Sequence, residues 1–266
     1  MLSYRHGFHA GNWADTHKHA ALALILARLR EKAKPFCVID PFAGDGIYDL
    51  TAPEAVKTGE FEEGIAKIWR RNDAPACLAP YLDAVRAFNA GGRLTKYPGS
   101  PAIARAALRE ADRLVLAELH PTAHAHLKRW AASDQRIVVH RRDGFEFLAA
   151  ALPPTPRRGL VLIDPSYEVK SEYDALPRAL EKAMRKWKEG IYVVWYPILP
   201  EGRHQALLAG LAPLRPLISE IAPKAPPARG LQGAGIAVVN PPFGFARDLA
   251  VARDWLVTAL FATHIP

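Results

Sequence analysis

Asp164-Pro165-Ser166-Tyr167 brings together a carboxylate, a backbone stiffened by proline and an aromatic ring. It directly follows the apolar run Leu160-Val161-Leu162-Ile163. An apolar run that stops at a proline reads as a buried strand with polar groups at its tip. Such a set suits the amino group of a flat heterocycle. That nitrogen is a weak nucleophile, because its lone pair is delocalised into the ring. Acceptors that bond its N–H groups favour a more pyramidal nitrogen and take up charge as it attacks a methyl donor. The Tyr167 ring is placed to stack on the same heterocycle. The competing reading is an ordinary turn, for which Asp, Pro and Ser are all common.

Three further strand ends repeat the pattern. Phe36-Cys37-Val38-Ile39 runs into Asp40-Pro41-Phe42-Ala43-Gly44-Asp45-Gly46. Glycines two apart just past a strand let the backbone approach a ligand closely. Leu114-Val115-Leu116-Ala117 ends in Glu118, and a carboxylate there can hold the two hydroxyls of a ribose. Ile137-Val138-Val139-His140 leads through Arg141-Arg142 to Asp143-Gly144. Each acid alone reads as structural or solvent-facing. Four successive strands with polar tips point to a ligand outside the carboxyl ends of an α/β sheet.

The elements that must carry these tips follow from periodicity. Residues 1–14 form a polar, aromatic tail. Asn12 or Asp15 caps a helix to about Lys32, with Leu22, Ile25, Leu26 and Leu29 at helical spacing and Lys18 and His19 in its first turn. Between about 48 and 97 the α/β rhythm breaks. Phe61, Ile65, Ile68 and Trp69, then Leu78, Leu82, Val85 and Phe88, predict a small helical insertion. It accounts for the long gap between the glycines and Glu118. Ser100-Pro101 reads as a cap followed by proline at the first helical position. Helices at 101–110, 122–132, 144–151, 172–188 and 201–211 then alternate with strands at 113–118, 136–140, 159–164 and 190–196. Strands at 216–222 and 234–240 have no helix between them and are expected to pair antiparallel. A helix near 247–262 follows. The whole is a mostly parallel, seven-stranded α/β sheet in one domain spanning 1–266. Segments 153–158 and 223–229 are proline-rich basic loops.

The 266 residues are half hydrophobic, enough for one large core. Thirty-five Lys and Arg against 27 Asp and Glu leave a net charge of +8, which favours a polyanion such as nucleic acid. Cys37, in a strand, and Cys77, in a helical segment, are expected to be free thiols in a reducing compartment. No signal-peptide pattern and no membrane-length apolar run is found, so a cytoplasmic protein with no membrane partner, and a monomer, is expected.

The chain resembles the ribosomal RNA large subunit methyltransferase J family. The resemblance rests on Met1-Leu2-Ser3-Tyr4-Arg5-His6, Phe8-His9-Ala10-Gly11-Asn12 and Lys18-His19 at the start. It continues through Tyr97-Pro98-Gly99-Ser100-Pro101, Glu118-Leu119-His120-Pro121, Asp143-Gly144-Phe145, Trp195-Tyr196-Pro197 and Asn240-Pro241-Pro242. It implies a Rossmann-like, class I S-adenosylmethionine-dependent methyltransferase fold. It also implies methyl transfer to the N6 of one adenine in 23S ribosomal RNA. By the same resemblance Asp164 is the catalytic acceptor. The cofactor site draws on His19, Phe42, Ser100, Glu118, Asp143, Gly144 and Asp164, and Tyr4 contacts the RNA; Lys18, beside His19, is also expected at the cofactor, and Tyr167, from its place after the strand, at the RNA. Two positions depart from the family pattern. Ser166 stands where the catalytic motif usually has a second proline, and Phe42 stands where a histidine occurs.

Four alternatives compete. Asn240-Pro241-Pro242-Phe243 is itself an amino-methyltransferase signature, but it follows a strand expected to run antiparallel, so its end points away from the cofactor edge. His6, His9, His17 and His19 could suggest a metal, yet no cysteine lies nearby to complete a tetrahedral set, and none is expected. A nicotinamide oxidoreductase would share the glycines and Glu118 but leaves the Asp-Pro-Ser-Tyr run unexplained. A non-catalytic RNA-binding protein would leave the strand-end acids unexplained.

Overall fold

A computed structural model describes residues 6–262. The chain enters through α1 (Trp13–Arg30) and β1 (Cys37–Asp40). An insertion follows, comprising β2 (Ile47–Asp49), α2 (Pro53–Thr58), α3 (Ile65–Ile68), α4 (Ala79–Ala87) and β3 (Lys96–Pro98). The α/β alternation resumes with α5 (Ser100–Ala107), β4 (Arg113–Ala117), α6 (Pro121–Ala131), β5 (Ile137–His140), α7 (Gly144–Ala150) and β6 (Gly159–Ile163). It ends with α8 (Glu172–Lys186), β7 (Ile191–Ile198), α9 (His204–Leu211), β8 (Leu217–Ile221), β9 (Gly233–Val239) and α10 (Phe245–Phe261).

The main sheet has seven strands in the order β5-β4-β1-β6-β7-β9-β8. The first five are parallel. β9 runs antiparallel to both β7 and β8. The chain winds outward from β1 through β4 to β5, then returns to place β6 on the other flank of β1. The strand order reverses between β1 and β6, and in open α/β sheets a ligand crevice opens at such a point.

Strand alternation builds two cores. Val38, Leu160 and Leu162 face one side and pack with Leu22, Ile25 and Leu26 of α1 and with Phe245 and Leu256 of α10. Ile39, Val161 and Ile163 face the other and pack with Phe147 of α7, Leu176 and Leu180 of α8 and Leu207 of α9. α8 is amphipathic: Tyr173, Leu176, Leu180 and Ala183 are buried, three to four residues apart.

α1 departs from the one-sided helix that its leucines suggest. It packs against α4, α5, α10 and β9 at once. Asp15, Thr16, His17, Lys18 and His19 are therefore as buried as the leucines. Asn12 is the cap, its side chain accepting from the Asp15 amide at 2.8 Å. Because the helix begins at Trp13, Lys18 and His19 lie in its second turn. Another shift concerns Ser100. Gly99 is the cap of α5, and Ser100 is its first helical residue.

The insertion has the two expected helical patterns, split into short α- and 3-10 turns. Its roots were not legible as strands: β2 and β3 pair antiparallel, with Tyr48 opposite Tyr97. That pairing returns the chain to its point of departure, so the sheet proceeds as if uninterrupted. No described helix is long and apolar enough to cross a membrane.

Candidate active site

The carboxyl ends of β1, β4, β5 and β6 surround a cleft of about 350 Å³, lined by Lys18, His19, Phe42, Ser100, Glu118, Asp143, Gly144 and Asp164 among others. All eight residues expected at the cofactor thus meet in one cavity. Its volume is in the range of pockets that hold small organic ligands.

Asp164 comes directly after β6, and its side chain is 17 % exposed. The Lys18 ammonium, 4 % exposed, donates to its Oδ2 at 2.5 Å and lies 2.8 Å from Asp15 Oδ1. Burial opposes the charge on Lys18, but Asp15 and Asp164 outweigh it and raise its pKa. Asp15 is the hub of the arrangement. Its Oδ2 also accepts from the Gly11 amide and bonds His6 Nε2, each at 2.9 Å. Burial alone would protonate it, yet His6, Lys18 and His19 hold its carboxyl well below the usual range. Lys18 also lies 5.7 Å from the centre of the Trp195 ring.

A second carboxylate, Asp40, ends β1. Ser100 donates its hydroxyl to Asp40 Oδ2 at 2.6 Å, and the Phe42 amide donates to Oδ1 at 3.1 Å. Ser100 therefore serves the site, where the sequence suggests a helix cap. Burial pushes the Asp40 pKa up to about 6, against those two hydrogen bonds.

Glu118 follows β4. Its Oε2 accepts from the Gly44 amide at 2.9 Å and its Oε1 from the His120 amide at 2.7 Å. The carboxylate thus ties the glycine loop to the neighbouring strand, and each oxygen keeps a lone pair for a ligand. Asp143 caps α7: one oxygen, Oδ1, accepts from the amides of Phe145 and Glu146, each at 3.0 Å. Gly144 lets two segments close up. A Cβ there would stand 2.4 Å from the Phe42 ring and 2.6 Å from the Pro41 carbonyl oxygen. Phe42 in turn packs edge-on against Phe145. Its aromatic ring forms a wall of the cleft, a packing role open to phenylalanine.

Two expectations need correction or fall away. Tyr167 does not line the cleft. It adopts a positive φ of 56°, is buried, and donates its hydroxyl to the Trp195 carbonyl oxygen at 2.6 Å. Its ring packs on Tyr173, 4.6 Å between centres. The turn after Asp164 rotates it inward, so its aromatic surface fills the core and is not offered to a base. Tyr4 lies outside the described residues.

The competing features find structural uses. Asn240 ends β9 at the opposite edge of the sheet and donates to the carbonyls of Lys188 and Gly190, each at 2.8 Å. The four N-terminal histidines diverge to separate partners: His6 to Asp15, His9 to Glu60, His17 to Ser219 and His19 to Tyr97. Sequence reasoning missed Asp15 and Asp40. Asp15 was findable, since it stands three residues before Lys18 on one helix face. Asp40 was visible only as part of the glycine motif.

The family model described as ribosomal RNA large subunit methyltransferase D, RlmJ, matches residues 33–264. The chain belongs to this ribosomal RNA large subunit methyltransferase family. Ribosomal RNA large subunit methyltransferase J of Escherichia coli (strain K12) is 42% identical over 265 residues, 98% of this chain and 94% of the relative. Its counterpart in Haemophilus influenzae is 40% identical with the same coverage. A crystal structure of a protein from Legionella pneumophila str. Philadelphia 1 superposes with a TM-score of 0.89 at 35% identity, covering 95% of this chain and 94% of that one. The oxidoreductase and non-catalytic readings are set aside by membership in this methyltransferase family.

Proposed function

We propose that this protein methylates the N6 amino group of one adenine in 23S ribosomal RNA, with S-adenosylmethionine as methyl donor. The observation that carries the reading is Asp164. Its carboxylate is held at the sheet's point of strand-order reversal by a buried lysine, at the mouth of a cleft rich in acceptors. When bound, S-adenosylmethionine supplies a methyl group made electrophilic by its sulfonium. The donor set in the cleft suits that cofactor. Glu118 keeps acceptor capacity for ribose hydroxyls, and Asp143 keeps Oδ2 for a further donor. Gly44 holds its loop on Glu118 through its amide, and the bare Gly144 lets Phe42 close against α7 as a wall of the cleft.

Asp164 then accepts from the target amino group and localises its lone pair. Lys18 holds that carboxylate in place, because its ammonium is itself anchored by Asp15. Holding the acceptor before the reaction removes the cost of reorganising it at the moment of transfer. The acceptors that matter are the Asp164 side chain and a backbone carbonyl, so Ser166 in place of proline leaves the chemistry intact. The excess of basic residues suits an RNA partner.

The test is mass-spectrometric mapping of modified adenines in 23S ribosomal RNA, from cells with and without the protein, beside tritium transfer from labelled S-adenosylmethionine to a 23S transcript. One N6-methyladenine that depends on the protein is expected. Label appearing on another base, or none, would overturn the reading.

A further inference from the structure

The two proline-rich basic segments lie at opposite edges of the sheet and are used differently. Segment 153–158 precedes β6, at the amino edge. There Arg158 donates to the carbonyls of Leu29 and Lys34. Other arginines of that edge are equally committed: Arg109 bonds Asp112 and the Lys32 carbonyl, and Arg136 bonds Asp134 and the Leu108 carbonyl. Segment 223–229 lies in the loop between β8 and β9. The register pairs Gly233 with Ile198 and Ile221 with Ala234, so this loop rises beside the carboxyl end of β7. The Gln232 amide donates to the Ile198 carbonyl at 2.9 Å and fixes its root. β7 is the immediate neighbour of β6, whose end carries Asp164.

At this carboxyl edge the cations are not committed. Arg141 and Arg142 follow β5, Lys170 follows β6, Arg203 follows β7, and Lys224 and Arg229 stand in the β8–β9 loop. All six are exposed. Among the described residues none of the six forms a side-chain hydrogen bond or ion pair, in contrast to the arginines of the amino edge. Four carboxylates share these loops. Asp143 is used as a cap and Asp164 is bonded to Lys18, and the other two are Glu168 and Glu201. From β5 to β8 the edge spans six strand spacings, about 29 Å. That is far wider than one flipped nucleotide and suits a run of phosphates.

We propose that the β8–β9 loop, through Lys224 and Arg229, is a phosphate-binding arm that grips the RNA on one side of the target adenine. Arg203, after β7, lies between the arm and Asp164, Lys170 stands in the loop that Asp164 begins, and Arg141 and Arg142 hold the backbone on the other side. The proposal rests on the methyl-transfer reading for its RNA. It adds where the RNA outside the cleft is held. Phosphate contacts of this kind set position and salt dependence and carry no base information.

The decisive measurement uses the full chain, a 23S transcript and labelled S-adenosylmethionine. Lys224→Ala/Arg229→Ala is compared with Lys32→Ala/Lys34→Ala, which removes the same charge at the amino edge. The loop variant should raise the KM for RNA several-fold, with kcat and S-adenosylmethionine affinity unchanged. The slope of log binding constant against log salt should fall by about 1.4 for single-stranded contacts, or about 1.8 for duplex contacts. The amino-edge variant should leave the slope as in the wild type. A loop variant with wild-type KM and slope overturns the arm, and equal losses in both variants reduce it to net charge. If the wild type transfers no methyl group but the loop variant still loses slope, the arm stands and the methyl-transfer reading falls. If the wild type does not bind the transcript, both fall.

Discussion

Asp164 and Lys18 are the pair in which position and charge are hardest to separate. Lys18 is buried and needs counter-charges, and Asp15 and Asp164 supply them. Removing Asp164 therefore has two consequences, loss of the proposed acceptor and a lysine left with one partner. Asp164→Ala should lower the methyl-transfer rate by ~10²–10³, the usual cost of one positioned acceptor. Asp164→Asn keeps the volume and an acceptor for Lys18 but not the counter-charge, so it should be almost as inactive, with a melting temperature below the wild type and above that of Asp164→Ala. Near-wild-type turnover in either variant would remove Asp164 from the chemistry. Glu118 is the proposed ribose acceptor, and its two amide bonds tie the loop while each oxygen keeps a spare lone pair. Glu118→Ala should weaken S-adenosylmethionine binding by roughly 1.5–3 kcal/mol, the range for hydrogen bonds to a charged group. Calorimetry decides this, and unchanged affinity would assign Glu118 to the fold alone.

At the scale of elements, strand direction separates two motifs that look alike as text. Asp164 ends a parallel strand and Asn240 an antiparallel one, so they sit at opposite edges of one sheet. Asn240 holds a positive φ of 54° and closes the turn before β7 through two carbonyls. Asn240→Ala should lose stability, because alanine tolerates that backbone poorly and the two acceptors lose their donor. It should retain methyl transfer once assayed well below its melting temperature. An inactive but folded Asn240→Ala would place the chemistry at the wrong edge. β2 and β3 act at the same scale. By pairing, they carry Tyr97 to His19 and Gly99 to Gly46, so the insertion braces the cleft.

For the molecule as a whole, burial of ionisable groups ties stability to pH in two opposing ways. Burial raises the Asp40 pKa from 3.8 to about 6. Between those values the folded chain keeps a proton that the unfolded chain has lost, so stability falls as pH rises through the window. The contribution is on the order of 3 kcal/mol, at 1.36 kcal/mol per pKa unit. His17 acts in the opposite sense. Burial, with Arg253 nearby, lowers its pKa from 6.5 to about 3, so its contribution is lost as pH falls through that range. Asp40→Asn should remove the first effect alone. The stability difference between wild type and Asp40→Asn, from denaturant midpoints at pH 4 and pH 7, should move in favour of the variant at the higher pH. An unchanged difference would mean that Asp40 is not desolvated as its surroundings imply.

Much of this protein was legible in the residues themselves. Apolar runs of four residues ending directly in Asp40, Glu118 and Asp164 marked the three central parallel strands β1, β4 and β6, because a strand covered on both faces stays apolar until its tip. Those tips located Asp164 and Glu118, and the missing helix before the last strand signalled its antiparallel direction. Tertiary structure alone decided the rest. Asp15, His17, Lys18 and His19 sit on a helix whose leucines suggest one buried face, and only packing on all sides makes these polar groups internal and pairs Lys18 with a residue 146 positions away. Tyr167 and Ser100 have side chains whose use depends on where the backbone aims them. Tyr167 turns into the core, and Ser100 turns toward Asp40. Periodicity reports which face of an element is apolar. It cannot report which other element covers that face, and burial, partner and protonation state all follow from the cover.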